Sequence, residues 1–167
     1  MTNRSATVIA NLLAPVNGVV RTIETERVVD APPEAVWQVL TDFASYPEWN
    51  PFIPEIEGDL QEGGRLRVRI EPPGSRGATF RPEVQVVRPR RQLAWLGRLV
   101  VPHLFDGRHE FRLVPLADGD RTRFVQRETF GGLLVPVLLD GEAVRRGFEA
   151  MNERLAERAE SAVAAEG

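Results

Sequence analysis

Residues 42–52 are the most informative stretch of the chain, and they read Asp-Phe-Ala-Ser-Tyr-Pro-Glu-Trp-Asn-Pro-Phe. Pro47 and Pro51 each fix their own φ angle and push the preceding residue toward extended geometry. We therefore expect an ordered corner here, because a helix cannot run through the segment. The aromatic side chains of the corner either line a concave surface or plug one end of a core, since aromatics contribute much of a domain's buried area. They are Phe43, Tyr46, Trp49 and Phe52.

The residues before the corner predict a strand followed by a short helix. Polar and apolar residues alternate from Val20 to Asp30, which is typical of a strand. Pro32-Pro33-Glu34 then opens a helix, because proline and acidic side chains are both favourable in a first turn. The apolar residues that share one face of this helix are Val36, Val39, Leu40 and Phe43.

The first residues of the chain, 1–19, show no clear period and are predicted to form a separate N-terminal arm, with a short helix before Pro15. The apolar run from Val8 to Pro15 is too short and too interrupted for a signal sequence or a membrane span. We therefore expect a soluble, cytoplasmic protein. One domain is expected over residues 20–161, followed by a frayed tail over 162–167.

After the corner, short segments with strand character alternate with turn residues. The segment Arg65–Ile70 alternates perfectly, which predicts Leu66, Val68 and Ile70 on the buried face. With the strand before the corner, the chain has about seven strands in meander order, and short turns between them imply an antiparallel sheet. The predicted segments after the corner are Ile53–Glu57, Arg65–Ile70, Ala78–Val87, Gln92–Leu99, Arg108–Pro115 and Arg121–Phe130.

The C-terminal part predicts a long helix that begins near Asp140, a plausible N-cap. Its apolar stripe consists of Val144, Phe148, Met151, Leu155 and Ala159. The element order is strand, helix, about six strands and a long helix. These stripes are all buried if the sheet curls around the terminal helix, which is an α+β helix-grip fold.

Four segments resemble the START-like polyketide cyclase/dehydrase and lipid-transport superfamily (SRPBCC). They are the helix opening Pro32–Trp37, the corner Tyr46–Pro51, the hairpin from His109 to Glu128, and the helical segment Arg146–Asn152. The resemblance covers about residues 20 to 160 and implies the same helix-grip fold. Relatives bind lipids, sterols or polyketides, or cyclise and dehydrate aromatic polyketides. The motifs identify the fold better than the chemistry, because one fold hosts many functions.

The composition excludes several classes of chemistry. Cysteine is absent, which excludes disulfides, thiolate metal sites and thiol nucleophiles. All 21 basic residues are arginine, which excludes Schiff-base chemistry and a P-loop lysine. The two histidines, His103 and His109, show no metal-binding spacing. The net charge of −3 and the scattered arginines give no nucleic-acid footprint. We expect no cofactor, no metal and no nucleic-acid partner, and a homodimer stays open.

The hairpin places three polar side chains on the predicted inward face. Phe111 and Leu113 indicate which face of the first strand points inward, and His109 lies on that face. Phe124 and Phe130 indicate the same for the second strand, where Gln126 and Glu128 share the inward face. A four-residue turn would place His109 opposite Glu128, whereas a slip by two residues would place Phe111 there. The three side chains either satisfy one another, contact a ligand, or act on it as an acid–base pair.

A curved sheet around one helix cannot easily fill its interior with side chains, so we expect a cavity between them rather than a solid interior. Apolar cavities with a few polar groups are the usual form of small-molecule sites. The first hypothesis is therefore binding of a small hydrophobic molecule; the second is a cyclase/dehydratase-type enzyme using His109 and Glu128; the third is a protein-interaction adaptor. The candidate ligand-binding residues are Trp49, Phe52, Phe80, Trp95, His109, Phe111, Phe124, Gln126, Glu128, Phe148 and Met151.

Three other features are weaker candidates for function. His103 follows a proline in a loop and is expected to face solvent, and neither Asp106 nor Asp140 has a partner that the sequence assigns. The glycines at 58, 63, 64 and 107 are predicted to lie in turns or bulges.

Overall fold

A computed structural model describes residues 19–98, 102–117 and 119–166. Almost all of the predicted N-terminal arm, residues 1–18, lies outside this part. The described residues form eight strands and four α-helices. The strands are β1 (Val19–Val29), β2 (Glu55–Gly58), β3 (Leu66–Ile70), β4 (Ala78–Phe80), β5 (Glu83–Arg88), β6 (Gln92–Arg98), β7 (Asp106–Pro115) and β8 (Thr122–Gly132). The helices are α1 (Pro33–Thr41), α2 (Tyr46–Trp49), α3 (Val135–Leu138) and α4 (Gly141–Glu166).

The strands form two antiparallel sheets that meet at one edge. Five strands pair in the order β1-β8-β7-β6-β5, and three pair in the order β2-β3-β4. The Val84 N–H donates to the Gly64 carbonyl at 2.9 Å, and the Leu66 N–H donates to the Pro82 carbonyl at 3.0 Å. These bonds join β5 to the start of β3, so that the two sheets together wrap around α4. The α+β helix-grip fold predicted from the sequence is confirmed.

The helix α4 is anchored along its predicted apolar stripe. All five stripe residues are buried, and Phe148, Met151 and Leu155 have no exposed surface. Asp140 caps the helix, because its Oδ1 accepts the Ala143 N–H at 3.0 Å. The helix continues to Glu166, past the residue at which fraying was expected, and the fraying of residues 162–167 in solution stays a prediction.

The corner after α1 is more helical than the sequence predicted. α1 does end at Thr41, but a 3₁₀ turn over Phe43–Ser45 and the single turn α2 follow it directly. Pro47 fits because it lies in the first turn of α2, where a helix needs no N–H donor. The second proline follows Asn50, whose Oδ1 accepts the N–H groups of residues 52 and 53 and so ends the turn.

The aromatic side chains of the corner belong mainly to the core. Tyr46, Trp49 and Phe52 are buried, while Phe43 is half-buried. The Tyr46 hydroxyl donates to the Leu40 carbonyl at 2.6 Å. Burial, together with the nearby carboxylate of Asp42, raises the pKa of the Tyr46 phenol far above its ordinary value of 10.0. The corner therefore plugs one end of the core.

One strand prediction is wrong. The segment Ala78–Val87 was expected to be continuous, but it contains two strands, β4 and β5, which belong to different sheets. Pro82 lies between them, where it has no N–H to give to a ladder and lets the chain change sheets. The number of strands in the described residues is therefore eight rather than about seven.

Candidate ligand-binding site

A cavity of about 360 Å³ lies between the sheets and the first turn of α4. Strands β3 and β4 form one wall, β6, β7 and β8 form the floor, and Ala143 and Val144 of α4 form the roof. Exposed residues of the loop 72–77 and of the segment 138–140 border its mouth, so the cavity communicates with solvent. Its aromatic lining consists of Phe52, Phe80, Trp95, Phe105 and Phe130.

Two glycines in the floor add no side chain to this space. Gly97 of β6 pairs with Gly107 of β7, and both line the cavity. A β-carbon on Gly107 would lie only 2.6 Å from Oε1 of Glu128. The prediction that Gly107 is a turn or bulge residue is wrong, because it pairs regularly with Gly97 and Phe130 inside the sheet. The sequence held a usable signal, since glycine inside a strand often marks the close approach of a ligand.

The hairpin has the register that a four-residue turn predicts. His109 pairs with Glu128, and the Leu116 N–H donates to the Arg121 carbonyl at 2.9 Å across the turn. The predicted inward parity is also confirmed, because His109, Gln126 and Glu128 are all buried. The sheet therefore brings the three polar side chains together.

His109 is the centre of a buried chain of polar contacts. Its Nδ1 lies 3.1 Å from Oε2 of Glu128, and its Nε2 lies 3.0 Å from the amide nitrogen of Gln126. The same amide nitrogen lies 3.5 Å from Sδ of Met151. The imidazole stacks on Trp95 with 5.2 Å between ring centroids. Packing and hydrogen bonds together fix the orientation of the ring.

The position of the Gln126 amide nitrogen determines which proton arrangement fits these contacts. The Gln126 amide nitrogen is a donor that faces two acceptors, the His109 Nε2 and the thioether sulfur of Met151. His109 in its neutral form then carries its proton on Nδ1 and donates it to Glu128. Oε1 of Gln126 has no partner among the described residues. The arrangement leaves Glu128 as the member of the chain that borders the cavity.

The structure separates the predicted site residues into two groups. Four of them line the cavity: Phe52, Phe80, Trp95 and Glu128. The other seven are buried outside its lining: Trp49, His109, Phe111, Phe124, Gln126, Phe148 and Met151. The hairpin contacts the middle of α4 there, since the Gln126 amide nitrogen lies 3.5 Å from Sδ of Met151 and the rings of His109 and Phe148 have centroids 5.2 Å apart. The part that any of the eleven plays in ligand binding stays a prediction.

The weaker candidates, His103, Asp106 and Asp140, lie in a loop, at the start of β7 and at the start of α4. His103 is exposed, as expected, and its N–H donates to Asp106 at 3.3 Å. Asp140 caps α4 at the cavity mouth. Within the described residues, no three His, Asp or Glu side chains are grouped closely enough to hold a metal ion. None of the helices in this part of the chain has the length and hydrophobicity that crossing a bilayer requires.

Solved structures share this architecture over most of the chain. The Zhui aromatase/cyclase from Streptomyces sp. R1128 is 26% identical, with a TM-score of 0.56 over 89% of this chain and 93% of its own. A START superfamily protein from Mycobacterium smegmatis is 22% identical, with a TM-score of 0.60 over 87% and 99%. A hypothetical protein from Helicobacter pylori is 19% identical, with a TM-score of 0.70 over 83% and 88%. The last two likenesses show the fold alone.

Sequence comparison agrees with the fold. No curated protein matches this chain. Residues 20–161, however, match the model of a protein family described as polyketide cyclase / dehydrase and lipid transport. The match spans the strands, the corner, the hairpin and most of α4. The chain therefore belongs to the polyketide cyclase / dehydrase and lipid transport family.

Proposed function

We propose that this protein binds a small hydrophobic molecule of lipid, polyketide or aromatic type in the cavity between its sheets and α4. The cavity carries this proposal. Its volume of about 360 Å³ lies within the range of small-molecule sites, and aromatic side chains supply much of its wall. The family description and the similarity to an aromatase/cyclase support a ligand of one of these types.

Gly97 provides a direct test, because a side chain there would occupy the cavity. Gly97 follows Trp95 by two residues on β6, so both project to the same face of the sheet. A β-carbon on Gly97 would meet its nearest neighbours at 3.8 Å and 3.9 Å, which is ordinary contact. The variant Gly97→Leu should therefore fold while filling part of the cavity.

The experiment is a calorimetric titration of wild type and Gly97→Leu with a panel of naphthalene derivatives and fatty acids. We expect saturable binding by wild type of at least one compound and a loss of about tenfold or more in the variant, since overlap with a ligand ring excludes it. Val28→Leu, on an exposed position of β1, is the matched control and should bind like wild type. Equal affinity of Gly97→Leu and wild type would contradict binding in this cavity.

A second candidate function is catalysis of the cyclase/dehydratase type. It is favoured by Glu128, whose carboxylate borders the cavity while His109 holds its other oxygen at 3.1 Å. In this reaction Glu128 would accept a proton from the substrate. His109 does not line the cavity and would orient the Glu128 carboxylate. Turnover that is lost in Glu128→Gln while substrate still binds would support catalysis over simple binding.

A cytoplasmic location and a homodimer both stay predictions. Failure of every compound in the panel to bind would favour the protein-interaction alternative, in which the outer face of the sheet contacts a partner.

A further inference from the structure

Glu128 has unused hydrogen-bonding capacity at the inner end of the cavity. Oε2 accepts from His109, whereas no hydrogen bond from the described residues reaches Oε1. The residue is only 7% exposed and lines the cavity beside Gly107. The other ionisable side chains in the lining, Arg76 and Asp140, are exposed at the mouth. The inner end of the cavity therefore presents a carboxylate oxygen among aromatic rings.

The buried hydrogen bonds behind Glu128 determine how its free oxygen, Oε1, can contact a ligand. The Gln126 amide directs the His109 proton onto Nδ1, and Nδ1 donates to Oε2. The contact of 3.1 Å with His109 thus holds the carboxylate in one orientation. An ionised carboxylate is an acceptor only, so Oε1 can receive a hydrogen bond but cannot give one.

We propose that the ligand carries a hydrogen-bond donor, such as a phenol or alcohol hydroxyl, at the end of its apolar body that enters the cavity first, and that Oε1 of Glu128 accepts it. This inference rests on the proposed binding function and adds the chemistry of recognition. A ligand that lacks the donor must displace water from Oε1 and leave a buried carboxylate oxygen unpaired. Sites of this kind discriminate strongly against analogues that lack the matching polar group.

Two naphthalene derivatives of opposite hydrogen-bonding character test the proposal: 2-naphthol, which donates, and 2-acetylnaphthalene, which only accepts. Calorimetry should show wild type binding 2-naphthol about tenfold or more tightly than 2-acetylnaphthalene, because a hydrogen bond to a charged group is among the stronger ones. The two compounds differ slightly in size, so the decisive quantity is the change in their affinity ratio between wild type and a variant.

Glu128→Gln should reverse the preference. His109 still needs an acceptor for its Nδ1 proton, so the introduced amide should turn its oxygen toward His109 and its nitrogen toward the cavity. The cavity would then present a donor, and the affinity ratio should shift by about tenfold or more in favour of 2-acetylnaphthalene. Circular dichroism and thermal unfolding confirm that the variant is folded.

Gly107→Ala tests the same point without changing the carboxylate chemically. Its β-carbon would come within 2.6 Å of Oε1, so the carboxylate must move and the preference for 2-naphthol should fall. Saturable binding of both compounds with a ratio that neither Glu128→Gln nor Gly107→Ala changes would overturn this inference and leave the binding function intact. If wild type bound neither of the two compounds and no compound of the wider panel, both this inference and the proposed binding function would be overturned.

Discussion

At the scale of single residues, Tyr46 shows how one buried polar group connects the corner to the core. Its ring packs edge-on against Phe43 and Trp49, with centroid distances of 5.5 Å and 5.0 Å. Its hydroxyl needs an acceptor once it is buried, and the Leu40 carbonyl near the end of α1 supplies it. The tyrosine therefore ties the end of α1 to α2 by packing and by a hydrogen bond.

The composition makes this residue easy to observe by titration. The chain contains one tyrosine, no cysteine and no lysine. Tyr46 is thus the side chain whose ordinary pKa lies between those of histidine and arginine. The folded protein keeps the phenol neutral well above pH 10, whereas the unfolded chain ionises near its ordinary value of 10.0. The folded state then holds more protons, so stability is complete below pH 10 and decreases as the pH rises further.

We predict a decrease in the free energy of unfolding of up to about 1.4 kcal/mol per pH unit above pH 10. Urea unfolding between about pH 8 and pH 11.5 measures it. Tyr46→Phe is the control: it should lose about 1 kcal/mol at neutral pH with its hydrogen bond, but show a flat alkaline profile. A wild-type profile that is equally flat would contradict burial of a neutral phenol.

His109 and Glu128 should stabilise the fold jointly, because each satisfies the other in the core. Replacing either one, by His109→Phe or Glu128→Leu, leaves its partner without the contact at 3.1 Å, at a cost of about 1–3 kcal/mol for the stranded group. The double variant removes both polar groups and should lose less stability than the sum of the single changes. A double-mutant cycle by urea unfolding measures this coupling, and simple additivity would show that the pair contributes nothing jointly.

At the scale of elements, α4 depends on a glycine that helix propensity alone would disfavour. Gly147 lies in the second turn of the helix, and a β-carbon there would overlap the ring of Phe52. Phe52 in turn packs edge-on against Phe148 at 5.2 Å and lines the cavity. The glycine therefore allows the corner to approach α4 closely, and it indirectly sets the position of one cavity wall.

Gly147→Ala should destabilise the protein even though alanine is favoured over glycine in a helix by about 1 kcal/mol. Overpacking against Phe52 costs about 1–3 kcal/mol and outweighs that gain. Thermal or urea unfolding measures the net loss. Adding Phe52→Leu should recover part of it, because the smaller side chain relieves the overlap. A more stable Gly147→Ala variant would show that the Phe52 ring moves freely into the cavity.

The success of sequence reasoning also varies by element. Alternation predicted the inward faces of β3, β7 and β8, because a strand with one buried face leaves a period of two in its side chains. The break at Pro82 was missed, since the residues on both sides of it keep strand character. Gly97 and Gly107 were not predicted to line a cavity. What they contribute is the space left by a missing side chain, and that space depends on which residues lie across the fold. Residue type alone does not give the distance between a glycine and the residues that face it.

At the scale of the whole molecule, the cavity follows from how the two sheets pack around α4. The stripe from Phe148 to Ala159 packs closely, but the first turn of the helix presents the smaller Ala143 and Val144 opposite the paired glycines. Small residues on both sides leave the space at one end. The sequence predicted a cavity but centred it on the aromatic residues of the hairpin and the helix, several of which instead fill the core.

The domain should fold independently of the first residues of the chain. The five-stranded sheet begins at Val19, and the family match begins at residue 20. The helix grip is complete in the described residues without residues 1–17, so deleting Met1 to Asn17 should leave a cooperatively folding domain with a modest loss of stability. Urea unfolding of the truncated and full-length chains measures it.

The truncation also has an informative alternative outcome, because apolar side chains are exposed near the start of β1 and in the segment 133–138. Val20 is 52% exposed, Leu133 is 62% exposed and Val137 is 79% exposed. If the domain is independent, the truncated chain should remain monodisperse at the concentrations at which the full chain does, as light scattering would show. Aggregation or a broadened unfolding transition would mean that residues 1–17 cover this apolar surface, since exposed patches of this kind promote association.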